Sequence, residues 1–113
     1  MYNQREVVLI PVPFSDLSSQ KNRPVVVLSN NEYNQKTEDV LVAGITTVVK
    51  NELYEIPLAE DMMEEGHLPM PSTIRCDKLY LLNNKTIRKK FGRIRKETLQ
   101  EIRNKINQLI REN

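Results

Sequence analysis

Short apolar runs rich in β-branched residues, each bounded by polar or turn-forming stretches, limit most strongly what this chain can fold into. The clearest runs are Val7–Val12, Pro24–Ser29 and Val40–Val49. β-Branched side chains favour extended backbone, and runs this short are typical of strands and too short to span a membrane. We therefore predict strands at these three places. Further strands are predicted at Leu53–Leu58, Ser72–Leu82 and Thr86–Gly92, and loops, turns or a short acidic helix at Ser15–Asn22, Asn30–Asp39 and Ala59–Pro71.

Helical periodicity is confined to the C-terminal segment. Its apolar residues are mostly three or four positions apart, which places them on one side of a helix: Leu99, Ile102, Ile106, Leu109 and Ile110. The chain has 113 residues and shows no internal repeat or Pro/Gly-rich linker, so we predict one domain spanning residues 1–113. The expected fold class is mainly β, a small SH3-like barrel of five to seven strands with a C-terminal α-helix.

The sequence has too few cysteines and histidines for several kinds of site. One cysteine, Cys76, and one histidine, His67, cannot form a disulfide framework or a zinc finger. We expect Cys76 to be a small core residue and His67 a surface residue, and we expect no metal or cofactor. The three glycines are scattered and form no phosphate-binding loop. With no signal peptide recognised, a cytoplasmic protein without membrane attachment is expected.

Charge is distributed unevenly along the chain. Residues 1–66 hold five lysines and arginines against eleven aspartates and glutamates, whereas residues 67–113 hold twelve against four. Such polarity is expected of a protein that presents one surface to an anion, nucleic acid included. A solvated basic hairpin and helix would give the same count, so charge alone does not decide between them.

Arg75 and Asp77 lie two positions apart in a predicted strand. Side chains at positions i and i+2 of a strand point to the same face, so these two should lie together while Cys76 faces the core. An arginine beside a carboxylate keeps it ionised and fixes its orientation. The pair could act on a phosphodiester, one group accepting a proton and the other neutralising the phosphate. An ordinary surface ion pair is the alternative.

A second group of polar residues stands at the ends of predicted strands. Arg23 lies where a polar loop enters an apolar strand, and Pro24 restricts it to extended backbone. Thr46 and Thr47 close the strand that contains Gly44, where the missing side chain permits close approach. By composition alone, these are also common residues at a strand edge.

Four motifs, in order along nearly the whole chain, resemble the MazF/PemK (Kid-like) family of toxins. They are Pro13–Ser18 with Lys21–Val27, then Ala43–Thr47, then Pro71–Lys78, and Ile87–Ile94 before the terminal helix. The resemblance implies a homodimer of SH3-like barrels of the MazF/CcdB type. It implies a ribosome-independent, metal-free endoribonuclease that cleaves single-stranded RNA, inhibits translation and growth, and is silenced by a cognate antitoxin.

The same resemblance implies roles for individual residues. Arg23 and Thr46 would contact the scissile phosphate, Asp77 would take the 2′-hydroxyl proton, and Arg75 would assist the leaving 5′-oxygen, giving a 2′,3′-cyclic phosphate and a 5′-hydroxyl. Because a guanidinium is a poor proton donor, we expect Arg75 mainly to stabilise charge. The candidate catalytic residues are Arg23, Thr46, Arg75 and Asp77, and the candidate substrate-binding residues are Ser15, Ser18, Ser19, Lys21, Thr47, Lys50 and Thr73.

Two other function classes stay open. One is a gyrase-directed toxin on the same barrel, like the CcdB family, and the other is a non-catalytic SH3-like RNA-binding module that uses the basic segment Lys85–Lys96. The expected partners of the ribonuclease are single-stranded RNA, a second copy of the chain and an acidic antitoxin that competes with RNA. Arg95 stands where this family often has a serine or threonine as helix cap, so a side-chain cap is in doubt.

Overall fold

The computed structural model describes residues 1–13 and 20–113, with side chains for residues 1–11 and 22–113. The described strands are β1 (Glu6–Pro13), β2 (Gln20–Val27), β3 (Asp39–Thr46), β4 (Glu55–Leu58), β5 (Met63–Glu65), β6 (Ser72–Asn83) and β7 (Lys89–Ile94). The α-helices are α1 (Asn31–Lys36) and α2 (Lys96–Leu109), with 3₁₀ turns at Glu60–Met62 and Asn84–Thr86. None of the helices in these ranges is both long and apolar enough to cross a membrane.

The strands form one curled antiparallel sheet. Across the described residues it has seven strands in the order β4-β6-β3-β2-β1-β7-β5. Strands that follow one another in sequence pair antiparallel at β1-β2 and at β2-β3, the second pair being joined through α1. Strand β6 returns to lie beside β3, and β7 returns to lie beside β1. The half-barrel and its C-terminal helix confirm the predicted fold class.

Apolar side chains are buried on both faces of the sheet. The face covered by α2, called the helix face below, buries Val7, Val26, Ala43, Ile45, Ile74, Cys76, Ile94 and Ile102. The opposite face, called the open face, buries Val8, Ile10, Val25, Val27, Val40, Val42 and Ile87. Successive residues of a strand point to opposite faces, so a strand buried on both sides is apolar at every position. This is why the predicted strands are continuous apolar runs.

Helix α1 corrects the prediction of a loop at Asn30–Asp39. The Asn30 side chain caps the helix by accepting a hydrogen bond from the Tyr33 amide at 2.8 Å. Buried Asn34 donates to the carbonyl oxygens of Ser29 and Tyr2 at 3.0 and 3.1 Å. Polar contacts rather than an apolar stripe hold this six-residue helix, so periodicity could not reveal it.

Two strands also depart from the sequence expectation. Strand β2 begins at Gln20 rather than Pro24, because Gln20–Arg23 pair with Ile10–Pro13 of β1 through the backbone. Strand β5 lies within the segment expected to be a turn and loop, and it pairs with β7. Polar residues that join a sheet only through backbone hydrogen bonds cannot be recognised from the hydrophobic pattern of the sequence.

Helix α2 begins without a side-chain cap, as the arginine before it suggested. Arg95 instead donates from Nε to the Asp61 carbonyl oxygen at 2.7 Å, and the Thr98 hydroxyl donates to the Met62 carbonyl oxygen at 3.0 Å. Ile102 is completely buried in the helix face. These contacts fix α2 against the 3₁₀ turn that precedes β5.

Gly92 gives a test of the β5–β7 contact. A Cβ atom at Gly92 would press against the Glu65 carbonyl oxygen and lie 3.1 Å from Met63 Cε. We expect Gly92→Ala to lower the free energy of unfolding by about 1–3 kcal/mol, measured by urea denaturation. The control is Gly44→Ala, whose Cβ would have the Lys78 stem as its nearest neighbour, at 3.4 Å or more. Equal effects of the two substitutions would contradict this packing.

Candidate active site

A pocket of about 300 Å³ lies on the open face where β2, β3 and β6 adjoin. Its lining includes Gly44 and five polar side chains, those of Arg23, Thr46, Arg75, Lys78 and Tyr80. Three of the four candidate catalytic residues therefore share one pocket, although they are far apart in sequence. The cations in this lining make the pocket suitable for an anionic ligand.

The register of three strands brings these residues together. Val25 of β2 is opposite Gly44 of β3, and Gly44 is opposite Arg75 of β6. Arg23 and Thr46 each lie two residues along their strands from this row, and so point to the same face. Continuing the antiparallel register places Arg23 beside Thr46. Both side chains are half-buried.

Strand β6 contains a bulge at this site. The partner of Ala43 is Leu79, but the partner of the next residue, Gly44, is Arg75. The segment Cys76–Lys78 therefore has no partner in β3 within the described ladder. Extra residues in one strand bend the chain and change the direction of its side chains.

The bulge decides which side chains reach the pocket. Arg75 and Lys78 are three positions apart, and a regular strand would place them on opposite faces. Because of the bulge, both line the pocket. The Cys76 amide hydrogen-bonds outside the β3 ladder, to the Tyr54 carbonyl oxygen at 2.9 Å. Lys78 is a pocket residue that the sequence analysis missed, since alternation counted along an unbroken strand assigns it to the other face.

Arg75 and Asp77 form a bidentate ion pair, which agrees with their spacing. Arg75 donates from Nε to Asp77 Oδ1 at 2.9 Å and from Nη2 to Asp77 Oδ2 at 3.1 Å. The two side chains are 30% and 33% exposed. The hydrogen bonds from Arg75 hold the pKa of the Asp77 carboxyl below its usual range, and the same bonds raise the pKa of Arg75. Asp77 lies beside the pocket and is not among the described residues that line it.

Glu55 is a second carboxylate at Arg75 that the sequence analysis missed. It is the partner of Arg75 in the β4–β6 ladder, and its Oε1 lies 3.9 Å from Arg75 Nε. Its side chain is 3% exposed, and its Oε2 accepts a hydrogen bond from the Glu52 amide at 3.1 Å. The available signal was a glutamate inside the apolar stretch Leu53–Leu58, but the sequence does not reveal which strand pairs with β6.

The remaining candidate residues are divided between surface and core. Thr47 and Lys50 are exposed just after β3, and Thr46 Oγ1 accepts a hydrogen bond from the Val48 amide at 3.1 Å. Thr73 is fully buried, and its hydroxyl has no hydrogen-bond partner among the described residues. A buried hydroxyl offers no surface to RNA, so the expectation that Thr73 contacts substrate is corrected here. Ser15, Ser18 and Ser19, and the side chain of Lys21, lie outside the described part of the chain.

The lone cysteine and histidine do not belong to this pocket. Cys76 is buried in the helix face, as predicted, and burial raises the pKa of its thiol to about 11, which suppresses the nucleophilic thiolate. His67 is exposed and borders a separate pocket of about 360 Å³ with Leu58, Met63 and Met70. Within residues 1–13 and 20–113, no group of three or more His, Cys, Asp or Glu side chains is placed to bind a metal.

Sequence comparison identifies one family over nearly the whole chain. Residues 3–110 match the family model described as PemK-like, MazF-like toxin of type II toxin–antitoxin system. No curated protein matches the chain at a significant level.

Several solved structures share the fold at low sequence identity. MazE–MazF from Deinococcus radiodurans superposes with a TM-score of 0.82 at 20% identity, covering 99% of this chain and 97% of the other. The Mycobacterium tuberculosis toxin MazF-mt6 gives 0.72 at 20% identity, covering 94% and 98%. An endoribonuclease in complex with its cognate antitoxin, from a mycobacterial species, gives 0.77 at 16% identity, covering 96% and 93%.

The family match and the superpositions agree. The family match covers residues 3–110, and the superpositions cover a curled sheet followed by a terminal helix. The chain belongs to the PemK-like, MazF-like family of toxins of type II toxin–antitoxin systems.

Proposed function

We propose that this toxin is a sequence-specific, metal-independent and ribosome-independent endoribonuclease that cleaves single-stranded mRNA in the cytoplasm and thereby inhibits translation and growth. The observation that carries the proposal is that Arg23, Thr46 and Arg75 line the same pocket. Asp77 lies beside this pocket and accepts hydrogen bonds from Arg75. A phosphodiester needs cationic groups at its oxygens and a base near its ribose, and this set supplies both. The endoribonuclease found among the solved neighbours supports the same reading.

The proposed reaction passes through the ribose 2′-hydroxyl. Asp77 accepts the 2′-hydroxyl proton, the 2′-oxygen attacks phosphorus, and the bond to the 5′-oxygen breaks, leaving a 2′,3′-cyclic phosphate and a 5′-hydroxyl. The Asp77 carboxylate is ionised at neutral pH, and the hydrogen bonds from Arg75 that lower its pKa fix it in place while making it a weaker base. General base catalysis of this kind contributes about 10²- to 10⁴-fold. DNA, which lacks the 2′-hydroxyl, cannot react this way.

The cations of the pocket stabilise the phosphate as its charge grows. Arg23 approaches from β2 and Arg75 from β6, while the Thr46 hydroxyl can donate a hydrogen bond at the end of β3. Arg75 is already oriented by Asp77, so it needs little rearrangement during the reaction. Because the same hydrogen bonds raise the pKa of Arg75, we assign to it charge stabilisation rather than proton transfer.

Nucleotides on either side of the cleaved bond would lie along the exposed edge of this pocket. Thr47 and Lys50 are exposed directly beyond Thr46 and can reach such nucleotides. Ser15, Ser18, Ser19 and Lys21 stay predicted contacts with these nucleotides.

The proposed antitoxin is an acidic segment that occupies the same pocket. Arg23, Arg75 and Lys78 present positive charge there, and acidic side chains would complement it as RNA phosphates do. Antitoxin and RNA would therefore exclude each other. MazE–MazF and an endoribonuclease with its cognate antitoxin, both among the solved neighbours, support a partner of this kind.

We also propose a homodimer formed through an apolar patch on β3 and β6. Leu41 pairs with Leu81 and Ala43 with Leu79, so the three leucines lie on the helix face beyond the part that α2 covers. Leu41 and Leu79 are 37% exposed and Leu81 is 59% exposed. Contiguous exposed apolar side chains of this kind mark interaction surfaces, and a second copy of the chain is the partner we assign to this one.

The first test is incubation with a long single-stranded RNA in EDTA. We expect discrete cuts at a recurring short motif, with cyclic-phosphate ends. Arg23→Ala should slow cleavage about 10²- to 10³-fold because it removes a cation from the phosphate, and Asp77→Asn about 10²- to 10⁴-fold because it removes the base. Lys36→Ala on exposed α1 is the matched control and should cleave as wild type does.

The result also separates the competing function classes. Folded wild-type protein that binds RNA without cutting it would favour the RNA-binding module. Protein that neither binds nor cuts RNA would favour a gyrase-directed toxin. Either result would contradict the ribonuclease proposal. Full cleavage by Asp77→Asn would remove Asp77 from the role of base while leaving the activity established.

The Arg75–Asp77 pair should make stability depend on pH in the acid range. The folded Asp77 carboxyl has a lowered pKa, whereas the unfolded one titrates near 3.9. On acidification the unfolded state therefore binds the proton first, so the contribution of Asp77 is complete above about pH 3.9 and is lost as pH falls through the folded pKa. Thermal unfolding of wild type and Asp77→Asn should differ more at pH 6 than at pH 2.5. A difference in stability that is the same at both pH values would contradict this prediction. Glu64 also has a lowered pKa, but it is present in both proteins, so its titration cancels in the comparison.

The dimer surface is tested by a charge placed in its centre. We expect Leu81→Asp to convert dimers into monomers, as measured by sedimentation equilibrium, because a carboxylate would be buried without a partner. Met70→Asp is the control, because Met70 is also 59% exposed and lies outside the patch. If both variants remain dimers, the interface lies elsewhere. If the wild-type protein is a monomer, the homodimer proposal is wrong.

A further inference from the structure

Lys78 lines the catalytic pocket but has no part in the reaction as described above. A Cβ atom at Gly44 would lie 3.4, 3.5 and 3.7 Å from Cδ, Cγ and Cβ of Lys78. The lysine stem therefore crosses β3 at the one position where β3 has no side chain. Gly44 is also the residue opposite Arg75, so Lys78 enters the pocket at the level of Arg75.

The reaction lacks a proton donor. When the bond between phosphorus and the 5′-oxygen breaks, that oxygen becomes an alkoxide unless it receives a proton. Asp77 has the opposite task, since it takes up the proton of the 2′-hydroxyl. Arg75 donates two hydrogen bonds to Asp77, and its Nε lies 3.9 Å from Glu55 Oε1; the hydrogen bonds to Asp77 raise the pKa of Arg75. Arg75 is therefore a poor source of a proton.

The described lining of the pocket contains two other groups with a dissociable proton, the ammonium of Lys78 and the phenol of Tyr80. As chemical classes, both are better proton donors than a guanidinium. Tyr80 is opposite Val42, two residues along β3 from Gly44, which is about 7 Å from the level of Arg75. A phenol that gives up its proton also leaves a negative charge near the phosphate, whereas an ammonium leaves a neutral amine. Both considerations favour Lys78.

We propose that Lys78 is the catalytic residue that protonates the leaving 5′-oxygen, an inference that rests on the proposed ribonuclease function. Asp77 takes the 2′-hydroxyl proton, the bond from the 2′-oxygen to phosphorus forms, and the bond to the 5′-oxygen breaks as the Lys78 ammonium transfers a proton to it. The protein is left with a protonated carboxyl and a neutral amine. Proton exchange with water restores both groups.

The bulge gives the acid and the base different directions from adjacent positions. Asp77 turns toward Arg75 beside the pocket, and Lys78 passes over Gly44 into it. An in-line displacement has its attacking and leaving oxygens on opposite sides of phosphorus, so the group that accepts a proton and the group that donates one must approach from different sides. Asp77 and Lys78, which the bulge directs differently, can meet that requirement, whereas Arg75 and Asp77 are bonded to each other.

The test compares ordinary RNA with RNA that carries sulfur in place of the bridging 5′-oxygen at the cleaved bond. A thiolate leaves without being protonated, so the sulfur substrate does not need the acid. Lys78→Arg keeps the positive charge but is a poor donor. We expect it to lower kcat on ordinary RNA about 10²-fold or more, with KM close to wild type. On the sulfur substrate its kcat should stay within about threefold of wild type, as general acid catalysis is then dispensable.

The other outcomes each overturn a definite statement. A loss by Lys78→Arg that is equal on both substrates, or no loss on either, would show that Lys78 is not the donor. If Arg75→Ala or Tyr80→Phe instead is slow on ordinary RNA and regains activity on the sulfur substrate, the substituted residue is the proton donor. Wild-type protein that cleaves neither substrate would overturn the ribonuclease function itself, and this result is distinguishable because it appears before any variant is compared. Lys78 is exposed, so its variants should fold, which circular dichroism checks.

Discussion

The pairing of β3 with β6 is the constraint on which the site depends. The ladder runs from Asp39 opposite Asn83 to Thr46 opposite Thr73, and it is interrupted only between Ala43 and Gly44 in the register described. Both strands are buried on two faces over part of their length. Moving β6 by one residue would exchange its buried and exposed side chains, so register is strongly fixed. The position of the bulge, and with it the direction of every polar group on β6, follows from that packing rather than from the polar groups themselves.

Electrostatics then fixes the orientation of Arg75 within this frame. A carboxylate as buried as Glu55 is costly unless it is paired, and its oxygens face the Glu52 amide and Arg75. Asp77 accepts two hydrogen bonds from the same guanidinium. An arginine fixed in this way presents charge to a phosphate without paying for reorganisation. The hydrogen bonds that orient the guanidinium also raise the pKa of Arg75, so in the proposed reaction charge stabilisation and proton transfer are assigned to different groups.

The sequence predicts those features that depend on burial or on local spacing. Runs of β-branched residues locate the main strands, an apolar stripe locates α2, and the spacing of Arg75 and Asp77 predicts their contact, which the structure shows at 2.9 and 3.1 Å. Features that depend on a partner strand are not visible in the same way. Lys78 reaches the pocket only because β6 is bulged opposite Gly44, and Thr73 is buried by strands on either side of it. The arrangement of β4 beside β6, which brings Glu55 to Arg75, is likewise a property of the assembled sheet.

The uneven charge of the sequence acquires a different meaning in the folded protein. Acidic residues of the first half face basic residues of the second across the β5–β7 and β1–β7 pairs, as the contacts of Arg93 with Glu64 and of Lys90 with Glu6 show at 2.7 and 3.2 Å. Only 6% of the Glu6 side chain is exposed, so its pairing with Lys90 offsets the cost of burying a carboxylate. The half-exposed pair of Arg93 and Glu64 contributes little stability by itself. Each pair reduces the positive field that its cation would otherwise project. Part of the positive charge of the second half is thus balanced within the folded sheet. The cations that line the pocket, Arg23, Arg75 and Lys78, are brought together by strand register and not by net charge.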